Sequence, residues 1–381
     1  MENAIAWIPK ECGDSNWTPI PLLGGMCRAH SERTLAEAGI SCKQEERELV
    51  LPFETLVLVR ADAPCLHAAE LRRLADAVSQ EDAMPKVLKD ENERETLALA
   101  LPYALWQGAL RKYGHSPSET AAMLLNEEND ENVSVLPPCG AGNKTRFRVM
   151  DGQSYARALG ILQSGVIQKH MQAGVIFLDP THALVEMNVT IGAGTMVYPG
   201  NTVQGHTRIG ANCILYPGNR MQNAVIGENT TVENSVLAEC TVGKYTTVGP
   251  FAYLRPQTAV GDHCRIGDFV EIKNSDIGDG TKVSHLTYVG DSDLGKDINL
   301  GCGVVFVNYD GKAKHRCRVG DQAFIGCNSN LVAPVHIGSK AYVAAGSTIT
   351  EDVPDEAMYI ARSRGVVKEG WVQKRRERGE L

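Results

Sequence analysis

The chain of 381 residues has no C-x-x-C pair, although it holds 11 cysteines. Scattered singly and with no export signal in view, these thiols read as reduced residues rather than as a disulfide framework or a structural zinc site. The opening "MENAIAWIPKECGDSNW" has no basic segment followed by an apolar one, so no signal peptide is expected and a cytoplasmic location follows as the expectation. Apolar runs long enough for a membrane-spanning helix are absent as well. Positive charge is short: 38 Lys and Arg against 46 Asp and Glu leave a net charge of -8, which gives no support for nucleic acid as the main partner. What remains, 43% hydrophobic and 22% charged residues, is the make-up of an ordinary globular chain long enough for two domains.

From about residue 184 to residue 353 the sequence counts in sixes. Ile191, Val197, Val203, Ile209 and Leu215 stand six apart, and so do Val242, Val248, Leu254, Val260, Ile266 and Ile272. Val319, Ile325, Leu331, Ile337, Val343 and Ile349 close the series. Period six scatters these side chains around a helix, so an amphipathic helix fails to explain them. It suits a parallel β-helix, in which each short strand turns one aliphatic side chain inward and three strands make a triangular coil of about eighteen residues. Gly, common just after the apolar position, fits the turns. Between Phe306 and Val319 the count fails, for thirteen residues pass there. That gap predicts a loop leaving a rigid scaffold, a place where function tends to sit, and backbone N–H groups at the departure are candidate oxyanion donors.

Residues 1–153 follow different rules. "AIAWI" and "ETLVLVRAD" predict buried strands, while "HAAELRRLADAV" and "ERETLALALPYALWQGALRKYG" carry helical periodicity. Ser116, Pro117 and Glu119 predict a capped helix start. "NEENDENVS" reads as a loop, and residues 154–173 as a connecting helix. Strands alternating with helices predict an α/β domain over 1–153, followed by the repeats over 174–354 and a tail over 355–381.

"GPFAYLRP", "GDFVEIKNSDIGDGTKVSHLTYVGD", "NYDGKAKHRCRVGD", "GCNSNLVAPVHIG", "VAAGSTIT" and "ARSRGVVKEGW" follow one another in order. Over residues 147–371 the chain resembles the acetyltransferase domain of the bacterial bifunctional N-acetylglucosamine-1-phosphate uridylyltransferase and glucosamine-1-phosphate acetyltransferase family. The resemblance implies a left-handed parallel β-helix, homotrimers with sites between subunits, and no catalytic metal for acetyl transfer. It also implies that residues 1–153 are a shortened, degenerate nucleotidyltransferase-like domain. The family's Gly-rich nucleotide loop has no counterpart in "WIPKECGDSNWTPIPLLGG". By resemblance Asp62 in "LVRADAPCL" would be a magnesium ligand, but the place of the second ligand reads "VMDG". Uridylyl transfer is therefore expected to be lost.

Acetyl transfer to a sugar amine needs a base, cations for the sugar phosphate and a slot for the pantetheine arm. An imidazole takes and releases a proton near neutral pH, so His285 in "SHLTY" is the candidate base, with Glu271 expected to orient or polarise it. A histidine in a solvated turn is the bland reading, and His206, His263, His315 and His336 are given that reading. Arg255 and Lys273 are one full coil apart, a spacing that stacks two cations on one face for one anion. By resemblance Tyr288 and Asn299 complete the sugar site, and Asn308, Tyr309 and Lys314 serve acetyl-CoA. The cofactor slot would run past Cys302, Cys327 and Ala345 to Arg362, with Lys368 assisting. The family usually has Ala and Ser where the two cysteines stand, which puts acyl selectivity and thiol reactivity in question. A catalytic cysteine is a weak alternative, since neither thiol has a base beside it in the sequence. A γ-type carbonic anhydrase would need three histidines at coil spacing, which His263 and His285 do not supply. A sugar-nucleotide or CoA-binding scaffold or sensor is the non-enzymatic alternative.

Overall fold

The period of six becomes three flat faces. In the computed structural model, which describes residues 4–9, 27–50, 53–79, 84–92, 94–113, 116–126, 134–135 and 146–381, the repeats coil into a three-sided parallel β-helix. Eleven strands, Ile176–Phe177 through Met358–Tyr359, stack as its first face. Ten form the second, Leu184–Val185 through Thr348–Ile349, and nine the third, Thr190–Ile191 through His336–Ile337. Each strand sends one side chain inward. Leu254, Ile272, Val289, Phe306, Leu331 and Ile349 form such a file behind the second face, each at 0% exposure. Met221 and Leu237 belong to the same file. Stacking removes every one of these apolar groups from water, which no coil achieves alone.

Two further devices hold the stack in register. A Cβ on Gly227 would stand 2.6 Å from Gly243 C and Lys244 N of the next coil, so only hydrogen fits at that corner. Inside another corner, Asn219 Nδ2 donates to Asn201 Oδ1 at 3.0 Å, and Asn219 Oδ1 accepts Ser235 N at 2.9 Å. The buried amides thus satisfy one another and the backbone, as buried polar groups must.

The chain divides into two compact units, Met1–His170 with Val185–Asn188, and Met171–Leu184 with Val189–Leu381. The first unit carries a mixed sheet built from β1 (Ala4–Trp7), β2 (Ser41–Cys42), β3 (Thr55–Val59), β4 (Lys86–Lys89), β5 (Thr96–Pro102) and β6 (Ser134–Val135) in the order β2-β1-β3-β5-β4-β6. Helices α1 (Cys27–Glu37) and α2 (Ala68–Ser79) precede and follow β3, and α3 (Tyr103–Tyr113) and α4 (Pro117–Asn126) follow β5. The capped start at α4 is as expected: Ser116 N donates to Glu119 Oε2 at 3.0 Å and Glu119 N to Ser116 Oγ at 3.3 Å. Helix α5 (Gly152–Gln172) follows, its Ala158 packing with Cys27, Cys65, Phe147 and Val149.

One expectation is overturned. "TLALALP" is strand rather than helix: β5 pairs antiparallel with β3 and with β4. Leu97, Ala98, Leu99, Ala100 and Leu101 are all buried, so the run shows no alternation, and a fully buried strand is indistinguishable from a buried helix by periodicity. The loop expected at "NEENDENVS" lies, apart from its first and last residues, outside the described residues, and so does "ECGDSNWTPIPLLGG". In the tail, Met358–Tyr359 extends the first face and Trp371–Glu377 is a helix.

Candidate active site

Where the first face turns into the second, one file of residues climbs the coils. Asp268 is in register with His285. The next coils continue it, for Gly303 N donates to His285 O, Asn328 N to Cys302 O at 2.8 Å, and Gly346 N to Cys327 O at 2.8 Å. Asp268, His285, Cys302, Cys327 and Ala345 therefore occupy one corner of five successive coils. Near its end Arg362 Cδ lies 3.8 Å from where a Cβ on Gly346 would stand. The expected base and the expected cofactor-slot residues thus share a single edge.

Beside this file, Phe251, Phe269 and Leu286 hold the left-handed position of the same turn on three consecutive coils, with φ of 59°, 54° and 45°. Such bulky residues are rare there. All three are exposed, and the two rings stack at 5.3 Å.

His285 Nδ1 lies 2.6 Å from Asp268 Oδ1. The bond to His285, foremost, holds the Asp268 carboxyl below the usual carboxylate range. A carboxylate on Nδ1 selects the tautomer whose Nε2 lone pair is open, and among the described residues Nε2 has no hydrogen-bond partner. Glu271 does not orient His285. Its Oε1 instead takes Arg255 Nη1 at 2.7 Å, because the two meet on the outer side of the second face, away from the corner. Asp268 was missed by the sequence reading, yet its distance of 17 residues from His285 is one coil, the signal that would have found it.

The outer side of the second face carries the cations. Arg255 and Lys273 follow the paired residues Leu254 and Ile272, so they stack as expected. Lys314 stands close by: it, foremost, pushes the Lys273 ammonium below the usual lysine value, burial and Arg255 add to this, and Asp291 opposes. Asp291 is the second residue that the sequence reading missed. Its carboxylate accepts Asn274 Nδ2 at 2.6 Å and the Asn308 amide, and lies 4.0 Å from Lys273 Nζ. Burial pushes its pKa up, but these two amides and the Lys273 and Lys314 charges outweigh burial and hold it low. Tyr288 Oη accepts Asn308 Nδ2 at 3.4 Å above Gly290, where a Cβ would stand 2.4 Å from that hydroxyl.

The break in the count is a short excursion between Val305–Val307 and Cys317–Val319. Tyr309 and Lys314 pair antiparallel within it. Asp310 Oδ1 accepts Lys312 N at 2.8 Å and Ala313 N at 2.7 Å, and Oδ2 lies 2.7 Å from His315 Nε2. Asn308 anchors one end to Asp291, and Arg316 anchors the other through Nε to Asp293 Oδ1 at 2.8 Å. The N–H groups of Asp310, Lys312, Ala313 and His315 are all bonded inside the excursion, so the expected oxyanion donors are not among these four. His315, expected to be solvated, is tied into the loop.

One chain therefore brings Arg255, Glu271, Lys273, Tyr288, Asn308 and Lys314 together, with His285 at the edge of the same face. Tyr309 is exposed and turns its hydroxyl to Gly311 O at 2.8 Å. Asn299 is apart: it lies on the first face, between Lys282 and Phe324.

In the first unit, Asp62 is fully buried. Its Oδ2 takes Arg148 Nε at 2.8 Å and Nη2 at 2.7 Å, and its Oδ1 takes Arg60 Nε at 3.2 Å. Val149 N donates to Asp62 O at 2.8 Å, so the "VMDG" stretch does lie beside Asp62. Two guanidiniums hold the positions a divalent cation would need, and the residues do not fit a magnesium site.

The family model described as bacterial transferase hexapeptide (six repeats) matches residues 239–274 and 316–351. The chain is 53% identical over 215 residues to the bifunctional protein GlmU of Clostridium acetobutylicum, a match covering 56% of this chain and 47% of that protein. It is 50% identical over 251 residues to the bifunctional protein GlmU of Clostridioides difficile, covering 66% of this chain and 55% of the relative. The chain thus spans about half the length of the curated relatives it matches. A solved UDP-N-acetylglucosamine acyltransferase from Campylobacter jejuni is similar over 50% of this chain and 77% of its own, with 17% identity and a TM-score of 0.37.

Proposed function

We propose that the chain is an acetyl-CoA-dependent N-acetyltransferase of an amino-sugar phosphate, with glucosamine-1-phosphate as the acceptor. The observation that carries this reading is the second face itself. At its edge stands an imidazole whose Nδ1 is held by Asp268, and across its outer side stand Arg255, Lys273 and Lys314. Phe269 and Val270 carry the chain from Asp268 at the corner to Glu271–Lys273 on the second face, so the imidazole and the cations stand on adjoining parts of one coil stack. The match to GlmU over 56% of the chain supports the reading.

In it, the three cations hold the phosphate and the amine meets the thioester carbonyl near His285. The C–N bond forms as Nε2 takes the amine proton. The C–S bond then breaks, and the imidazolium returns the proton to the departing sulfur. Cys302, Cys327, Ala345 and Arg362 line the way for the CoA arm along the corner, and Tyr309 and Asn299 act in a site completed by another subunit. Exposed Phe251, Phe269 and Leu286 on the same edge support a homotrimer, because a second copy would cover them. No uridylyl transfer is assigned to the first unit, where Asp62 is saturated by arginines.

Release of free thiol from acetyl-CoA with glucosamine-1-phosphate tests the reading. The wild-type chain is expected to release it and His285→Ala to lose roughly 10²–10⁴-fold in kcat. A wild type that binds both ligands and releases no thiol would instead favour the sensor.

A further inference from the structure

Cys302 and Cys327 are in register on neighbouring coils: Asn299 pairs with Phe324, Leu300 with Ile325, and Asn328 N donates to Cys302 O at 2.8 Å. Neighbouring strands lie about 4.8 Å apart, inside the roughly 4.4–6.8 Å of Cα separation that a disulfide bridges. Both are reachable from solvent. Cys327 is exposed and Cys302 half-buried, whereas Cys213, Cys240, Cys264 and Cys317 of the same solenoid are buried. Burial pushes the Cys240 thiol up to about 12 and those of Cys264 and Cys317 up to about 11, which keeps them protonated and inert. The accessible thiols of the solenoid are thus the two that hold the same corner position on neighbouring coils.

We propose that Cys302 and Cys327 form a paired-thiol modification site, closed to a disulfide across adjacent coils by a low-molecular-weight disulfide. The more exposed Cys327 thiolate attacks one sulfur of the reagent; a mixed disulfide forms and the first reagent thiolate leaves. Cys302 thiolate then attacks the Cys327 sulfur, the Cys302–Cys327 bond forms, and the second reagent thiolate leaves. Two cysteine sulfurs are oxidised, one reagent disulfide is reduced to two thiols, and the two cysteine protons end on those thiols. A consequence rests on the function proposed above: the bridge occupies the corner along which the pantetheine arm runs, so closure weakens acetyl-CoA binding.

The full chain is incubated with hydroxyethyl disulfide, digested without reductant and mapped by mass spectrometry, as a mixture of unlabelled and ¹⁵N-labelled chains. The expected product is a Cys302–Cys327 linked peptide pair of single isotope composition, reversed by dithiothreitol. Cys302→Ser is expected to stop at the hydroxyethyl adduct on Cys327. Stable adducts with no linked pair in the wild type overturn the proposal, and so do linked pairs of mixed isotope, which would join two copies. A linked pair in a chain that releases no thiol from acetyl-CoA leaves this site standing and ends the transferase reading. Where the chain is active, closure is expected to weaken acetyl-CoA binding at least about tenfold.

Discussion

Asp268 and His285 face each other across adjacent coils, carboxylate to Nδ1 at 2.6 Å. The pair makes Asp268 a positioning residue for the candidate base. Asp268→Asn keeps the shape but removes the anion, and kcat/KM is expected to fall roughly tenfold with the sugar-phosphate KM unchanged. The folded carboxyl is held low, so the pairing is complete above the ordinary carboxylate range and is lost only as pH falls through the lowered value. Removing a neighbouring anion disfavours a protonated imidazole, so the acid limb of the variant's kcat/KM profile is expected to move to lower pH. An unmoved limb would reduce Asp268 to a surface contact.

Lys273 is crowded by Lys314 and Arg255, and a bound phosphate dianion would relieve that crowding. Lys273→Met is expected to raise the KM for glucosamine-1-phosphate about tenfold or more, and to leave the KM for acetyl-CoA within about twofold. Unphosphorylated glucosamine should show no such difference between variant and wild type. Steady-state kinetics with both acceptors checks this.

Asn308 and Asn274 hold Asp291 ionised against its burial. The sign follows from linkage: a depressed carboxyl contributes stability above its unfolded value, and that contribution disappears as pH falls through the folded value. Asn308→Ala removes one amide, so the loss is expected to set in at higher pH than in the wild type. Thermal midpoints of both proteins, followed from neutral pH to about pH 3, should diverge in acid. Parallel curves would mean that Asn308 does not tune Asp291.

How much of this was legible in the sequence depended on how strictly the coils keep time. Along the unbroken runs of six from Val242 to Ile272 and from Val319 to Ile349, the inward residues were read correctly. Met221 and Leu237 were missed because five-residue steps follow or precede them, to Ile226, from Val232 and on to Val242. Strand β5 was misread because burial on both sides erased its alternation. At the site, stacking of Arg255 on Lys273 came from simple arithmetic, and so did the excursion after Phe306. Ion pairing did not. Glu271 lies nearer to His285 in sequence than Asp268 does, yet the alternation of outer side and corner sends Glu271 to Arg255 and Asp268 to the imidazole.

Asp62 offers a test in the first unit. Asp62→Ala leaves Arg60 and Arg148 without their shared carboxylate in a buried place, at a cost of about 3–5 kcal/mol. Urea unfolding of the full chain should show the first-unit transition shifted by that amount. Magnesium chloride is expected to leave the wild-type transition where it is. A magnesium-dependent rise that Asp62→Asn abolishes would restore the metal site.

The close file of hydrogens at Gly227 and its kin, and the in-register ladders beside it, set what changes of length the protein tolerates. Loss of one residue inside a strand would rotate every later rung out of phase and set side chains against backbone. Removing a whole turn would rejoin like with like and leave no seam. Inside its strands the solenoid thus tolerates changes only by whole turns, whereas its corners absorb the five-residue steps and the excursion after Phe306; the spacing between Asp268 and His285, fixed at a single turn, has no such freedom.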